Sequence, residues 1–218
     1  MGEGSKVSPR DRLRALSTEQ QSQLLDPAEL EFSRHGYSKA SLNRILASAG
    51  MSKGQAYYYI SDKADLYGAV IERALARLVE RIGLAWQTPL AAEDFWRQVG
   101  VFFDRLAAVF KEDETLAALA RGLYEGPTSQ GASSGLMRMI RQKLEELLCE
   151  GQNAGAIRKD MPRSLIAAAL FGAAREIDFW FATHWDELSL SEALELNSKT
   201  IGMIRAMAAE PELPVLQS

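Results

Sequence analysis

Between Met51 and Lys63 this 218-residue chain sets Ser52, Lys53, Gly54, Gln55, Tyr57, Tyr58 and Tyr59 almost side by side. An ammonium, an amide, three phenols and a residue without a side chain suit hydrogen bonding to phosphates and base edges, not bond-breaking chemistry. Three consecutive tyrosines on a helix fan out by about 100° each, so no single buried stripe holds them all. Ala56, Tyr59 and Ile60 share a face at i, i+3 and i+4 and are predicted to point inward with Met51. Lys53, Gly54, Gln55 and Tyr58 then face outward, with Tyr57 on the flank. Gly54 permits close backbone approach, Lys53 and Gln55 suit base edges, Tyr58 looks into a groove, and the Tyr57 hydroxyl suits a phosphate.

Charge supports a polyanionic partner at this end. Residues 1–63 carry a net +2 and the remainder a net −6. No acid falls between Glu31 and Asp62, while Arg34, Lys39, Arg44 and Lys53 lie inside that window. A small basic unit on an acidic body is the footprint of nucleic-acid contact.

Other chemistry finds little material. The sequence has no nucleophile elbow and no phosphate loop with its lysine, and carboxylates such as Glu145-Glu146 follow helix-surface spacing. One cysteine, Cys149, precludes an internal disulfide, fits a reducing cytoplasm and reads as a small apolar residue. With only His35 and His184 beside it, no Cys/His metal site is expected. No catalytic residue, cofactor or metal is therefore assigned. No apolar run approaches the ~18 residues of a membrane span, and the first residues lack a signal-peptide core.

The elements that must position the polar face are helical throughout. Ser17 and Gln20 are spaced as a capping box, and Gly36 is placed as a helix stop. Asp26-Pro27-Ala28-Glu29 reads as a helix start, predicting a kink or restart at Pro27. Ser41 opens a short helix that Gly50 stops, with Ala47 suited to close helix packing. Ser52 opens the next with Gln55 as capping partner, and the pair forms a helix-turn-helix pattern. Asp62 caps a long helix with Leu66, Val70, Ala74, Leu78 and Ile82 on one face. The helix starts at Ser41, Ser52 and Asp62 aim free amides outward, toward where phosphates would sit.

The stretch LLDPAELEFSRHGYSKASLNRILASAGMSKGQAYYYISDKADLYGAV, Leu24 to Val70, resembles the N-terminal DNA-binding domain of TetR-family transcriptional repressors. The matches are Ala28, Phe32, Gly36, Tyr37, Ser41, Ile45, Ala47, Ala49-Gly50, Ser52-Lys53-Gly54, Tyr57, Tyr59, Lys63 and Leu66. The resemblance implies an all-α homodimer with a three-helix DNA-binding head and a larger body that binds a small effector and dimerises. It implies double-stranded operator DNA as partner, with phosphate contacts from Ser41, Tyr57 and Lys63. Asn43, Arg44, Lys53, Gly54, Gln55 and Tyr58 match positions facing bases or flanking phosphates. Repression is implied in the same way; activation, or a head that binds protein instead of DNA, are the rival readings. Four features depart from the family: Pro27, the acids Glu29 and Glu31 at often apolar positions, Ala56 for a larger aliphatic residue, and Ile60 for phenylalanine. They predict a first helix that packs differently.

The expected organisation is a flexible arm over 1–16, the DNA-binding domain over 17–63, an effector-binding and dimerisation domain over 64–210, and a tail over 211–218. After residue 85 come eleven of the twelve Phe and Trp residues, which prefer enclosed apolar space. Helices are predicted over 91–111, 113–124, 135–153, 162–185 and 190–209. Trp96, Phe103, Phe110, Tyr124, Phe171, Arg175, Glu176 and Trp180 are the candidate lining of a pocket for a hydrophobic or aromatic molecule. The last helix is apolar on two sides and needs both a core and a second subunit. Leu170, Ile177, Phe181, Leu194, Ile201 and Ile204 are the candidate dimer seam.

Overall fold

The computed structural model describes residues 7–83, 85–123, 134–184 and 187–210. Tyr124 and the tail 211–218 lie outside them. Among the described residues there are ten α-helices and no strand: α1 Pro9–Arg14, α2 Thr18–Lys39, α3 Leu42–Ser48, α4 Lys53–Tyr59, α5 Lys63–Ile82, α6 Ala92–Glu112, α7 Glu114–Gly122, α8 Ser134–Asn153, α9 Arg163–His184 and α10 Leu190–Ala208. They form two compact units, Met1–Glu80 with Asp113–Leu136, and Arg81–Glu112 with Met137–Ser218. These boundaries differ from the 17–63 and 64–210 division read from the sequence, because α7 packs on α2 in the first unit.

In the first unit, the head, local signals set the helix starts. Ser17 and Gln20 form the expected capping box on α2. The helix runs through Pro27 without a restart; its one non-helical residue is Gly36, at φ 65°. Pro27 has no N–H to donate, but a single missing bond in a 22-residue helix with Leu24, Leu25, Ala28 and Phe32 buried does not end it. Of the arm expected as flexible, residues 9–14 form α1, capped by Ser8 and anchored by Leu13 at 2% exposure. The core holds an aromatic triad: Tyr67 meets Phe32 and Tyr37 edge-on, each at 5.0 Å between centroids. Ile45, Leu46, Ile60, Leu66 and Val70 are buried in the same unit. Ala47 lies on the solvent side of α3, since Ile45, Leu46 and Ala49 supply its inner face.

Glu29 is buried in this unit, and two arginines of α5 explain how. Arg73 and Arg77 reach its two carboxylate oxygens at 2.6 and 2.5 Å, and Arg73 also pairs with Asp26 at 2.6 Å. A buried carboxylate at an often apolar position thus staples α2 to α5 through charge, as burial of a charge requires.

The second unit, the body, packs Phe95, Trp96, Val99, Leu148, Ile157, Ile166, Ala167, Leu170 and Ala208 into one apolar cluster. Gly151 is obligatory here: a Cβ would lie 2.5 Å from the Ile157 side chain and 2.9 Å from the Phe95 ring. Its buried polar groups are neutral amides. Gln98 pairs with both backbone groups of Gln87, and Gln152 donates to the Arg158 carbonyl while accepting from Arg163.

Candidate nucleic-acid interface

The helix-turn-helix is built by capping and by one glycine. Ser41 Oγ accepts the Arg44 N–H at the start of α3. Gly50 then takes φ 64°, a left-handed conformation that costs glycine nothing, and the Met51 N–H bonds back to the Leu46 carbonyl. Ser52 and Gln55 close a reciprocal capping box on α4: Ser52 Oγ accepts the Gln55 N–H at 3.3 Å, and Gln55 Oε1 accepts the Ser52 N–H at 2.8 Å. Gln55 is therefore half engaged. Its amide oxygen caps the helix, and its two N–H donors remain for an acceptor on a base edge.

The helix divides into an inside and an outside, with Tyr59 departing from the inward position expected of it. Ala56 and Ile60 are fully buried, whereas Tyr57 and Tyr58 are 48% and 55% exposed. Tyr59 is half-buried and does not enter the core, with the Tyr58 ring edge-on against it at 5.0 Å. Ser52, Lys53, Gly54 and Gln55 are exposed, as are Asn43 and Arg44 on α3. A Cβ on Gly54 would meet nothing within 4 Å. The fold places no demand for glycine there, so any demand comes from what approaches from outside.

Two predicted contacts are engaged within the head itself. The Lys63 ammonium donates to the carbonyls of Tyr37 and Ala40 at 2.8 and 3.2 Å, reaches that of Ser38 at 3.4 Å, and sits 4.7 Å from the centre of the Tyr37 ring. It closes the C-terminal end of α2, where free carbonyls and the negative dipole end favour a cation. Instead of reaching outward as a phosphate contact, Lys63 is half-buried and acts first as a cap. Arg44 donates to Glu31 Oε1 from Nε at 2.9 Å and Nη2 at 2.5 Å, and to the Lys39 carbonyl. The same oxygen accepts the Ser41 N–H at 2.8 Å. The hydrogen bonds from Arg44 and Ser41 hold the Glu31 carboxyl below the ordinary carboxylate range, with His35 adding to the effect. Arg34, Lys39 and Lys53 are exposed and make no ion pair among the described residues.

None of these partners was legible at short range. Glu31 meets Arg44 across thirteen residues and Lys63 meets Tyr37 across twenty-six. The signal available was the pair of acids at Glu29 and Glu31 where apolar residues are usual, which marked positions needing a cation.

The body's candidate pocket residues are not gathered around one cavity. Trp96 is in the core at 7% exposure, and Phe103 packs half-buried against the same core. Phe110 is half-buried, and Phe171 lies under the Arg141 guanidinium. Arg175 and Glu176 are exposed and pair with each other, while Trp180 stacks on His184 at 4.4 Å. An open cleft of about 480 Å³ is lined by Glu93, Trp96, Arg97, Ser198, Ile201, Gly202 and Arg205. Trp96 alone of the candidates reaches it. In the candidate seam, Leu170 is corrected to the body's own core at 6% exposure, and Ile204 packs half-buried against that core. Ile177, Phe181 and Ile201 are half-buried, and Leu194 is exposed. The apolar side chains left most open on these helices are Leu165, Phe179 and Trp180 of α9 with Met203 and Met207 of α10. Among the described residues no three metal-ligating side chains converge, and no helix is long and apolar enough to cross a membrane.

A capped helix-turn-helix with a polar, cation-bearing outer face, joined in sequence to a helical body, defines a DNA-binding transcriptional regulator of the all-α class. Residues 24–70 match the model for bacterial regulatory proteins of the tetR family. It is 28% identical over 154 residues to the HTH-type transcriptional repressor Rv1474c of Mycobacterium tuberculosis, covering 68% of this chain and 74% of that protein. The AcnR repressor of Corynebacterium diphtheriae is 24% identical over 181 residues, 82% of this chain and 90% of that one. The crystal structure of FadR from Bacillus subtilis in complex with stearoyl-CoA shares the fold, at TM-score 0.64 and 17% identity over 85% of this chain and 97% of FadR.

Proposed function

We propose that the protein is a homodimeric repressor that reads a pseudo-palindromic DNA operator with α4 and releases it on binding a small molecule. The observation that carries the reading is the division of α4. Ala56 and Ile60 lock the helix into the head, while Lys53, Gly54, Gln55, Tyr57 and Tyr58 face outward as hydrogen-bonding groups. A protein-docking head would expose apolar side chains there. Ser41, Asn43, Arg44 and Ser52 flank the reading face, and Lys63 acts through the α2 end it caps. Two copies are required because one helix reads only a few base pairs, and twofold symmetry doubles the site. The exposed apolar side chains of α9 and α10 supply a self-complementary seam for that dimer. Repression follows the named activity of the M. tuberculosis and C. diphtheriae relatives.

The effector reading is an apolar or aromatic molecule carrying an anionic group. Trp96 and Ile201 give the body cleft an apolar wall; Arg205, 5.8 Å from the centre of the Trp96 ring, and Arg97, paired with Asp94, bring cations beside the Glu93 carboxylate. FadR, a fold relative, was solved in complex with stearoyl-CoA. Such a ligand must bind better to a state whose heads are wrongly spaced, because equal affinity for both states shifts nothing. The functional site acts in the cytoplasm, where the DNA is.

Random-site enrichment with the purified protein tests the core of the reading. The expected outcome is one pseudo-palindromic consensus, protected as two half-sites about one helical turn apart. Enrichment of no sequence, with binding that follows salt alone, rejects it.

A further inference from the structure

The six-residue helix α1 lies outside the matched stretch 24–70, yet it sits on the reading helix. Its three arginines do different things. Arg10 donates to the Asp65 carbonyl and pairs with the Asp65 and Glu72 carboxylates, and Arg14 pairs with Glu72 at 3.1 Å. These two bind α1 to α5. Arg12 instead lies over the face of the Tyr58 ring, 4.4 Å from its centre, with Nη1 donating to the Tyr58 carbonyl at 3.1 Å and Nη2 to the Val7 carbonyl at 3.0 Å. No carboxylate pairs with it among the described residues, so its charge is not cancelled.

Tyr58 is thereby held on two sides. Arg12 covers one face, and the Tyr59 ring stands at 89° to it on another. An exposed tyrosine on a two-turn helix otherwise samples several rotamers, and fixing one before DNA arrives removes that cost from binding. Tyr58 remains 55% exposed with both neighbours in place.

We propose that Arg12 is a positioning residue for sequence readout: it fixes the Tyr58 ring in its reading rotamer and so makes α1 part of the specificity surface. This rests on the DNA-reading function above. The guanidinium suits the task because it stacks flat on a ring while its edge donates to a carbonyl, which an ammonium cannot do at once.

The test measures Arg12→Ala, Arg12→Lys, Tyr58→Ala and Arg12→Ala/Tyr58→Ala on the enriched operator and on a scrambled duplex at one salt concentration. Arg12→Ala should lose about tenfold more affinity for the operator than for the scrambled duplex. Arg12→Lys keeps the charge, so it should bind the scrambled duplex like wild type and still lose operator affinity. In the Tyr58→Ala background the operator-specific loss from Arg12→Ala should vanish. Additive losses, or full operator affinity in Arg12→Lys, overturn the proposal. A DNA-free arm keeps the two readings apart: 13C relaxation of tyrosine-labelled protein should show the Tyr58 ring ordered in wild type and mobile in Arg12→Lys, at unchanged melting temperature. A ring equally ordered in both overturns it. A wild-type protein that enriches no sequence would instead remove the DNA reading while leaving Arg12's hold on the ring to the relaxation data.

Discussion

The head and the body bury polar groups in opposite ways. The head buries a carboxylate, Glu29, between Arg73 and Arg77. The body buries two neutral amides, Gln98 and Gln152, held by groups close in sequence: the backbone of Gln87 for the first, the Arg158 carbonyl and the Arg163 side chain for the second. A buried amide that loses its partner costs one hydrogen bond, whereas a buried charge that loses its partner is left in a medium that does not solvate it. The head is therefore tuned by charge and the body by packing, and this follows their work. A surface that meets a polyanion must carry cations, and those turned inward are held by carboxylates, as Arg44 is by Glu31, or by backbone carbonyls, as Lys63 is. Their exposed faces differ accordingly: α4 presents lysine, glutamine and tyrosine, and α10 presents Leu194, Met203 and Met207.

The largest effect should come from cutting the charged staple. Glu29→Ala leaves Arg77 without its anion and Arg73 with Asp26 alone; because Arg77 is 40% exposed, the loss should fall at the lower end of about 3–5 kcal/mol, against about 1–3 kcal/mol for Gln98→Ala in the body. Urea unfolding of both variants checks the ranking. Equal losses would erase the contrast between the units.

Next in size is the seam. Met203 is 62% exposed on α10, so Met203→Glu should fold normally as a subunit. A charge inside a dimer interface should weaken association by about 2 kcal/mol or more, read by sedimentation as monomer at micromolar concentration. A dimer of unchanged affinity would put the interface elsewhere.

Lys63→Ala follows. With its ammonium on the end of α2, the variant should lose about 1–2 kcal/mol of head stability. A melting temperature like wild type, with a salt slope of DNA binding flattened by about one, would return Lys63 to the role of plain phosphate contact.

How much of this was readable from the chain depends on distance along it. Capping boxes at Ser17/Gln20 and Ser52/Gln55 span three residues, and the turn at Gly50 needs one, so the helix-turn-helix and its outward polar face were legible. The helices of the body were also legible, since apolar periodicity is local. Periodicity names a face without saying what covers it, which is why Leu170 read as seam but lies in the core. Pro27 read as a break because its local signature is that of a helix start, and packing of Leu24, Leu25, Ala28 and Phe32 overrode it. The staple at Glu29, the cap by Lys63 and the stacking of Arg12 join residues 26 to 48 apart and left only indirect traces.

Gly54 separates stability from function at smaller cost. Its Cβ position is open, so Gly54→Ala should raise head stability by up to about 1 kcal/mol through lower unfolded-state entropy. The added methyl should nonetheless reduce operator affinity, because it stands where a DNA backbone would approach. A variant both more stable and equally tight on the operator would show that nothing comes close to α4 at that point.

The smallest effect is a pH dependence confined to the head. The Glu31 carboxyl is lowered from its ordinary value, first by the Arg44 hydrogen bonds and then by the Ser41 N–H, with His35 3.8 Å away. A carboxyl whose folded value is depressed binds protons more readily in the unfolded chain. Its contribution to stability is full above the unfolded value, near pH 4.5, and is lost as pH falls through the lower folded value. Glu31→Gln keeps an acceptor for the Ser41 N–H but carries no charge at any pH. Wild type should therefore exceed the variant in urea midpoint near neutral pH, and the gap should close in acid once pH has fallen below the lowered folded value. Arg44 is exposed and solvent screens the pair, so the gap should be under that of Glu29→Ala, where Glu29 is buried and Arg73 largely so. A gap constant from neutral to acid pH would mean that Glu31 acts through its shape and its bond to Ser41, and the charge-tuned head would then rest on Glu29 alone.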